Sequence, residues 1–389
     1  MLYYCPLENY PERYTMQWSA PKTGWLERNW IKAGIPYERI DSRDNEKGND
    51  RIKTGLVLDM ERRTSHCFSQ VEQLIYKAVS HLITDDDIIY FDDFWHLGIE
   101  ALPYTFHQLG ITPKMYAFCH AQSVDEFDFT YPMRHWMRDF EKGIGKILSG
   151  VFVNSNLLKQ LLIEVGVGTE ETVHVIGHIF CEEEVRERYP NELPPKENTV
   201  IFSSRWDDEK NPLFFLEVVE KVMQKRQDIK FIICTSQEQL RTNNPANLKG
   251  LQKVMKQYPN NLFLKEGLSK EEYYMELLKA KIQINTASQD WISIALLEAS
   301  VAGCYPLYPY YRSFPQAFRN EAKYMYYLFV PKAAEAAAHK ISKIIDTPEW
   351  WDKNQIEARA WIHRRHNLSW ARMINIMMGE NTVEAEPYE

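Results

Sequence analysis

The chain has 389 residues, 44% of them hydrophobic and 26% charged, and carries a net charge of −8. That length is too great for one comfortable core, so two domains are expected. The acidic balance argues against a nonspecific polyanion binder, which needs clustered Lys and Arg, and no apolar run is long enough to span a bilayer.

The first residues, MLYYCPLENY, lack the basic start and apolar stretch of a signal peptide, so a cytoplasmic location is expected. Six cysteines (Cys5, Cys67, Cys119, Cys181, Cys234, Cys304) are scattered without a CxxC pair. They read as buried free thiols in a reducing compartment, and their spacing disfavours zinc.

Taken in chain order, short apolar runs predict strands at LYYCPL (2–7), GLVLD (55–59), DIIYFDD (87–93), KMYAFCH (114–120), GVFVNS (150–155) and VHVIGH (173–178). Amphipathic stretches at 66–82, 97–109, 131–147 and 156–165 predict helices between them. Strands spaced by helices imply a parallel sheet covered on both faces. The polar, proline-marked stretch 181–197 predicts a linker. The alternation restarts with strands at 198–204, 230–236, 261–267, 281–287 and 304–309. Helices are expected from Asn211, near 246–257, over 269–280 and over 292–302, then over 331–346 and 348–379. Two doubly wound domains facing across a cleft would bind ligands outside the carboxyl ends of their strands.

Candidate chemistry falls at those strand ends. Arg205 and Lys210 bracket the turn SSRWDDEKNP after strand 198–204. A guanidinium and an ammonium beside a helix start suit a diphosphate; the alternative is a turn salt-bridged to Asp207, Asp208 or Glu209. In the loop SQDW after strand 281–287, Asp290 stands at the expected start of helix 292–302, as a cap or as a ligand contact. Backbone N–H groups of Trp291, Ile292, Ser293 and Ile294 would meet an anion there. Glu298 lies two turns further along, on the same side. It would accept ribose hydroxyls or sit in a buried salt bridge. Asp92 and Asp93 follow a strand of the first domain. Metal ligation, acceptor or sugar contact, and loop polarity are all open for them. The run YPMRHWMRDFEK (131–142) fits an amphipathic helix better than a nucleic-acid contact. Arg51, Lys53, Arg62 and Arg63 form a possible basic patch.

The ordered pair R-x4-K-N-P and D-x7-E-A resembles the retaining glycosyltransferases of the glycogen-synthase-like class, whose fold, GT-B, has two Rossmann-like domains. VHVIGHIF resembles the end of that family's first domain. NLSWARM (367–373) resembles its last helix, which crosses back to the first domain. FSSRWDDEKNP and LLEASVAGCYPLYPYYRSFPQAF look like the queuosine-tRNA mannosyltransferases. TDDDIIYFDDFWHLGIEALPY and YTMQWS look most like glycosyltransferases encoded by tailed phages, several of which decorate hypermodified DNA bases.

The resemblance implies an acceptor domain over 1–180, a linker over 181–197, a donor domain over 198–365, and a crossing helix and tail over 366–389. It implies that Arg205 and Lys210 hold the donor diphosphate of a nucleotide sugar, most simply a UDP-sugar, without a metal. Glu298 would hold the ribose, Asp290 would contact the transferred sugar, and Leu264 and Gly267 occupy the base-binding region. His120 matches a first-domain histidine that approaches the sugar. Asp92, Asp93 and Tyr14 are acceptor candidates. The preferred acceptor is a hydroxymethylated or otherwise hypermodified pyrimidine in phage DNA, which would place the protein in the host cytoplasm. The alternatives are a tRNA nucleoside, a glycan, or a weakened scaffold that binds nucleotide sugar without turnover.

The chain also departs from the family pattern. The first carboxylate is Asp rather than Glu, and Trp291, Ile292 and Ser293 fill a loop that usually carries glycine. Tyr10, Arg13, Tyr14 and Thr15 stand where the family has a glycine-rich loop.

Overall fold

A computed structural model describes residues 1–8, 24–42, 60–120, 123–127, 130–288 and 290–379. The apolar runs of the first half form an all-parallel sheet. Its strands are β1 (Leu2–Cys5), β2 (Tyr37–Arg39), β3 (Ile88–Phe91), β4 (Lys114–Phe118), β5 (Gly150–Val153) and β6 (Val173–Val175), in the order β2-β1-β3-β4-β5-β6. β1 pairs in parallel with both β2 and β3, so the strand order reverses between β1 and β3. Strands such as LYYC and IIYF are buried along their whole length. Continuous apolar runs of this kind are what a sheet covered on both faces requires.

The second half forms another parallel sheet. Its strands are β7 (Glu197–Phe202), β8 (Lys230–Cys234), β9 (Leu262–Lys265), β10 (Ala280–Ile284), β11 (Tyr305–Pro309) and β12 (Met325–Tyr326), in the order β12-β11-β10-β7-β8-β9. The order reverses between β7 and β10, which pair with each other. The crevice beyond their carboxyl ends is the ligand site that this topology favours.

The chain divides into two compact units, Met1–Phe180 with Leu368–Glu389, and Cys181–Asn367. The helix Ser369–Met378 belongs with the first unit: Ser369 Oγ donates to the His178 carbonyl at 2.8 Å and Arg372 to the Ile176 carbonyl at 3.2 Å.

Several local expectations need correction. The stretch read as a linker contains the helix Glu182–Arg186 and falls within the second unit. The single helix expected over 348–379 is three pieces: Pro348–Ile362, a π-helical turn His363–Asn367, and Ser369–Met378. β2 and β12 were not anticipated. They are three and two residues long at sheet edges and too short to show a period. The expected strand 55–59, and Tyr10, Arg13, Tyr14, Thr15, Arg51 and Lys53, lie outside the described residues. All six cysteines are free and buried.

Candidate active site

The loop after β7 is built on an anchor. Trp206 is fully buried, and its indole N–H donates to the Asn247 carbonyl at 3.1 Å. Thr242 Oγ1 donates to the Trp206 carbonyl, and Asp207 Oδ1 accepts from Asn243 N at 2.7 Å. With the backbone tied to the start of the helix Pro245–Gln257, the flanking residues Arg205 and Lys210 have fixed origins. A 3-10 turn, Asp208–Lys210, leads to Asn211, whose left-handed backbone (φ 53°) swings the chain into the helix Pro212–Met223. Proline at the first helical position costs nothing there, because that N–H has no intrahelical partner.

The loop after β10 docks onto this turn. Thr286 Oγ1 donates to the Lys210 carbonyl at 2.7 Å, and Ser288 N donates to the Glu209 carbonyl at 2.9 Å. Asn285 Oδ1 accepts from Ala287 N at 2.8 Å. These contacts bring two distant side chains together: Lys210 Nζ lies 3.6 Å from Asp290 Oδ2, with 10% and 18% of the two side chains exposed. Burial raises the Asp290 carboxyl above its ordinary value, and Lys210 and Arg205 oppose that rise. Arg205 is more exposed, at 58%; its guanidinium pairs with Glu209 Oε1 at 2.7 Å and stands 3.7 Å from Asp207. The salt-bridged turn is therefore present, with Arg205 on Glu209 and Lys210 on Asp290.

Asp290 is not a helix cap. The helix runs from Ile294 to Val301, and its N-cap is Ser293, whose Oγ accepts from Leu296 N at 3.3 Å. The helix starts two residues later than expected because Ser293, a strong capping residue, takes the position. Asp290 therefore lies off the helix and does not share a helical face with Glu298. The amides of Ile294 and Ala295 are the first helical donors, as helix starts require. Trp291 is buried, its ring under Arg312 at 5.3 Å, and Ser313 Oγ donates to the carbonyls of Asp290 and Trp291. Ile292 is half-buried. The bulky loop residues thus fasten the loop to the unit, and the helix ends in a left-handed turn at Gly303 (φ 76°).

Glu298 is 2% exposed. Its Oε1 accepts from Lys270 Nζ at 2.5 Å and from Tyr274 OH at 2.9 Å. Tyr273 donates to Ser203 Oγ at 3.0 Å, which links this acid's surroundings to the end of β7. Leu264 is in β9, half-buried. Gly267 follows with φ 66°, its N–H on the Gln237 carbonyl, and open space where a Cβ would stand. Sequence reasoning missed Trp206, Ser203, Lys270, Tyr273 and Tyr274. The signal was available for three of them: Lys270, Tyr273 and Tyr274 have the i, i+3, i+4 spacing that puts them on one helix face.

In the first unit, the strand ends at the β1/β3 reversal gather a separate polar cluster. His120 Nε2 donates to the Asp92 carbonyl at 2.6 Å, and burial pushes its pKa down to about 4, so the imidazole is neutral. The Asp92 side chain is fully buried, accepting from Tyr4 OH at 2.5 Å and Leu7 N at 3.4 Å, and burial pushes it up to about 7. Asp93 accepts from Arg63 at 2.6 Å and from Trp95 N at 3.0 Å. Burial raises it to about 6. Arg63 is 2% exposed and also pairs with Glu8, so it does not belong to a surface basic patch. On the helix Arg134–Ile147, Arg134, His135 and Trp136 are exposed while Met137, Glu141 and Ile144 are buried, the amphipathic arrangement. Among the described residues, no group of three or more His, Cys, Asp or Glu is placed to hold a metal ion. Nor is any helix there long and apolar enough to cross a membrane.

With this geometry, comparison with known proteins is informative. Residues 184–361, nearly all of the second unit, match the family model for glycosyl transferases group 1. Over 125 residues the chain is 29% identical to a tRNA-queuosine alpha-mannosyltransferase of Drosophila melanogaster, an alignment covering 32% of each protein. The chain thus spans about a third of that curated relative. The sucrose-phosphate synthase of Thermosynechococcus elongatus is similar in structure, with a TM-score of 0.64 at 13% identity, over 96% of this chain and 97% of that one. HepE of Anabaena, in complex with UDP and glucose, gives a TM-score of 0.59 at 12% identity, over 97% and 98%. The fold is GT-B, with two six-stranded Rossmann-like sheets and a C-terminal helix on the first unit.

Proposed function

We propose that the chain is a retaining glycosyltransferase that moves a sugar from a nucleoside diphosphate donor, a UDP-sugar, to a hydroxyl on a modified nucleobase. The observation that carries the reading is the approach of Lys210 to Asp290 at the strand-order reversal of a group 1 glycosyltransferase unit. Lys210 and Arg205 take the diphosphate and meet the charge that grows on it as the sugar leaves. The amides of Ile294 and Ala295 add fixed partial positive charge. Asp290 contacts the transferred sugar beside Lys210, and Glu298 accepts the ribose hydroxyls. Cationic side chains meet the donor's charge, so no metal is invoked. The UDP held by the structurally similar HepE supports the choice of nucleotide.

In the reaction, the acceptor oxygen bonds to the anomeric carbon as the bond from that carbon to the diphosphate breaks. The hydroxyl proton passes to the departing phosphate oxygen, on the same face. The electron pair of the broken bond stays with the nucleoside diphosphate.

The first unit serves the acceptor, with Asp93 as a candidate contact, while His120, neutral, keeps the role that the resemblance gives it, toward the transferred sugar. The preferred acceptor is a hydroxymethylated or hypermodified pyrimidine in phage DNA, from the resemblance of the N-terminal half. The second reading, a tRNA nucleoside, is favoured by the similarity to the tRNA-queuosine mannosyltransferase. Either base must leave its stack to react. Incubation with radiolabelled nucleotide sugars, hydroxymethylated DNA, bulk tRNA and oligosaccharides tests both. Label in DNA supports the first reading and label in tRNA the second; label confined to oligosaccharide overturns both. Tight donor binding without release of nucleoside diphosphate would show a scaffold instead.

A further inference from the structure

A buried carboxylate is costly unless it is paired and hydrogen-bonded. Glu298 meets that condition in an asymmetric way. Its two donors, Lys270 Nζ at 2.5 Å and Tyr274 OH at 2.9 Å, fall on the same oxygen, Oε1. The two donors come from one turn of one helix, Lys270–Lys279, together with Tyr273. The Lys270 ammonium lies 5.6 Å and 5.4 Å from the ring centroids of Tyr273 and Tyr274, so the aromatic pair cradles it. The helix start is itself fixed by a capping box: Ser269 Oγ accepts from Glu272 N at 3.2 Å, and Glu272 accepts from Ser269 N at 2.8 Å. Tyr273 ties the same turn to Ser203 at the end of β7.

We propose that Lys270 and Tyr274 are positioning residues that set the nucleotide specificity of this site. By occupying Glu298 Oε1 they hold the plane of the carboxylate, so that Oε2 is the oxygen offered to a ribose hydroxyl. The inference rests on the donor reading above and deepens it. A carboxylate has about four acceptor positions. Filling those of one oxygen from the protein turns a freely rotating acid into a directed acceptor. Hydrogen bonds to an ionised acceptor are the strong ones, so the arrangement selects ribonucleotides over 2′-deoxynucleotides.

Calorimetry with UDP, GDP and ADP identifies the nucleoside diphosphate that binds the folded protein tightest. That compound and its 2′-deoxy counterpart are then the probes. The wild-type protein should prefer the ribo form by about tenfold, the scale of one charge-assisted hydrogen bond. Lys270→Met and Tyr274→Phe should each bring the ratio toward one, and Lys270→Arg should restore it. In turnover, donor KM should rise while kcat holds, a split that a general loss of packing would not give. An unchanged ratio in either variant overturns the part assigned to that residue, and in both overturns the inference. Glu298→Gln separates the two levels. If it alone loses the ratio, the donor reading stands without the positioning residues. If it too keeps the ratio, the ribose assignment falls with them.

Discussion

Lys210 Nζ and Asp290 Oδ2 stand 3.6 Å apart although 80 positions separate them in the chain, because Thr286 and Ser288 dock the second loop onto the backbone of the first. The pair sets opposite expectations for its two members. Lys210→Met should weaken UDP binding by about tenfold to a hundredfold, the range for a hydrogen bond to a charged group. Asp290→Asn removes the negative charge beside the ammonium, so UDP should bind as well or better while sugar transfer slows. Calorimetry with UDP alongside a transfer assay reads both. Looser UDP binding in Asp290→Asn would falsify the division of roles.

Trp206 carries the loop that carries Arg205. It is fully buried against Phe202 and Phe215, and it holds Asn247 and Thr242 through its N–H and carbonyl. Trp206→Ala should cost about 3–5 kcal/mol in the unfolding of the second unit, the range for deleting a large buried ring. Trp206→Phe should keep most of the packing and lose only the N–H contact. Urea melts followed by far-UV circular dichroism measure both, and similar losses in the two variants would locate the anchor in the hydrogen bond instead of the ring.

The strands and their order of use were legible because a sheet buried on both faces needs unbroken apolar runs, and FSSR and INTA announce their ends. Arg205 and Lys210 stood out because two cations follow a strand beside a helix start, but the same pattern also suits a salt-bridged turn, and Arg205 does pair with Glu209. What stayed hidden depended on side chains meeting across the fold. The capping role of Ser293 was masked by Asp290, a residue of equal capping strength three positions earlier. Nothing local says that Asp92 is sealed under Tyr4, or that Arg63 turns inward to Glu8 and Asp93. Lys270 reaches Glu298 across 28 positions, and only the folded second unit supplies that contact.

Asp92 makes the first unit sensitive to pH. Its carboxyl is raised from 3.8 to about 7, mainly by burial. A raised value in the folded state means that the folded protein holds the proton more tightly than the unfolded one. Its contribution to stability is complete below about pH 3.8 and is lost as pH rises through about 7. Asp92→Asn keeps an oxygen for Tyr4 OH and Leu7 N but cannot ionise. The melting temperature of the variant should therefore gain on wild type between pH 5 and pH 8, by about 5 °C. A difference that stays constant across that interval would remove Asp92 as the cause.

The ends of the second unit are tied by an ion cluster with its own pH signature. Glu182, 6% exposed at its side chain, accepts from Arg186, from Arg359 Nη2 at 2.9 Å and from His363 Nδ1 at 3.0 Å. Its backbone N–H donates to Asn367 Oδ1 at 2.9 Å. The first residues of the unit are thereby joined to the π-helical turn at its end. The hydrogen bond to Glu182 raises His363 above 6.5, with burial opposing; burial pushes Glu182 up, but His363 and Arg186 outweigh it and hold Glu182 below 4.5. The raised histidine contributes stability that is complete below about pH 6.5 and is lost as pH rises through its folded value. The depressed glutamate contributes stability that is present above about pH 4.5 and is lost as pH falls through its folded value. Between those limits the pair is fully charged. His363 is nearly half exposed, so the gain is small, well under 1 kcal/mol after solvent screening. His363→Gln keeps a donor for Glu182 and loses the charge. Scanning calorimetry should show the variant melting about 1–2 °C below wild type at pH 6 and level with it at pH 9. A deficit that persists at pH 9 would mean that His363 acts through its packing, and that the charge on the ring is incidental to joining the two ends.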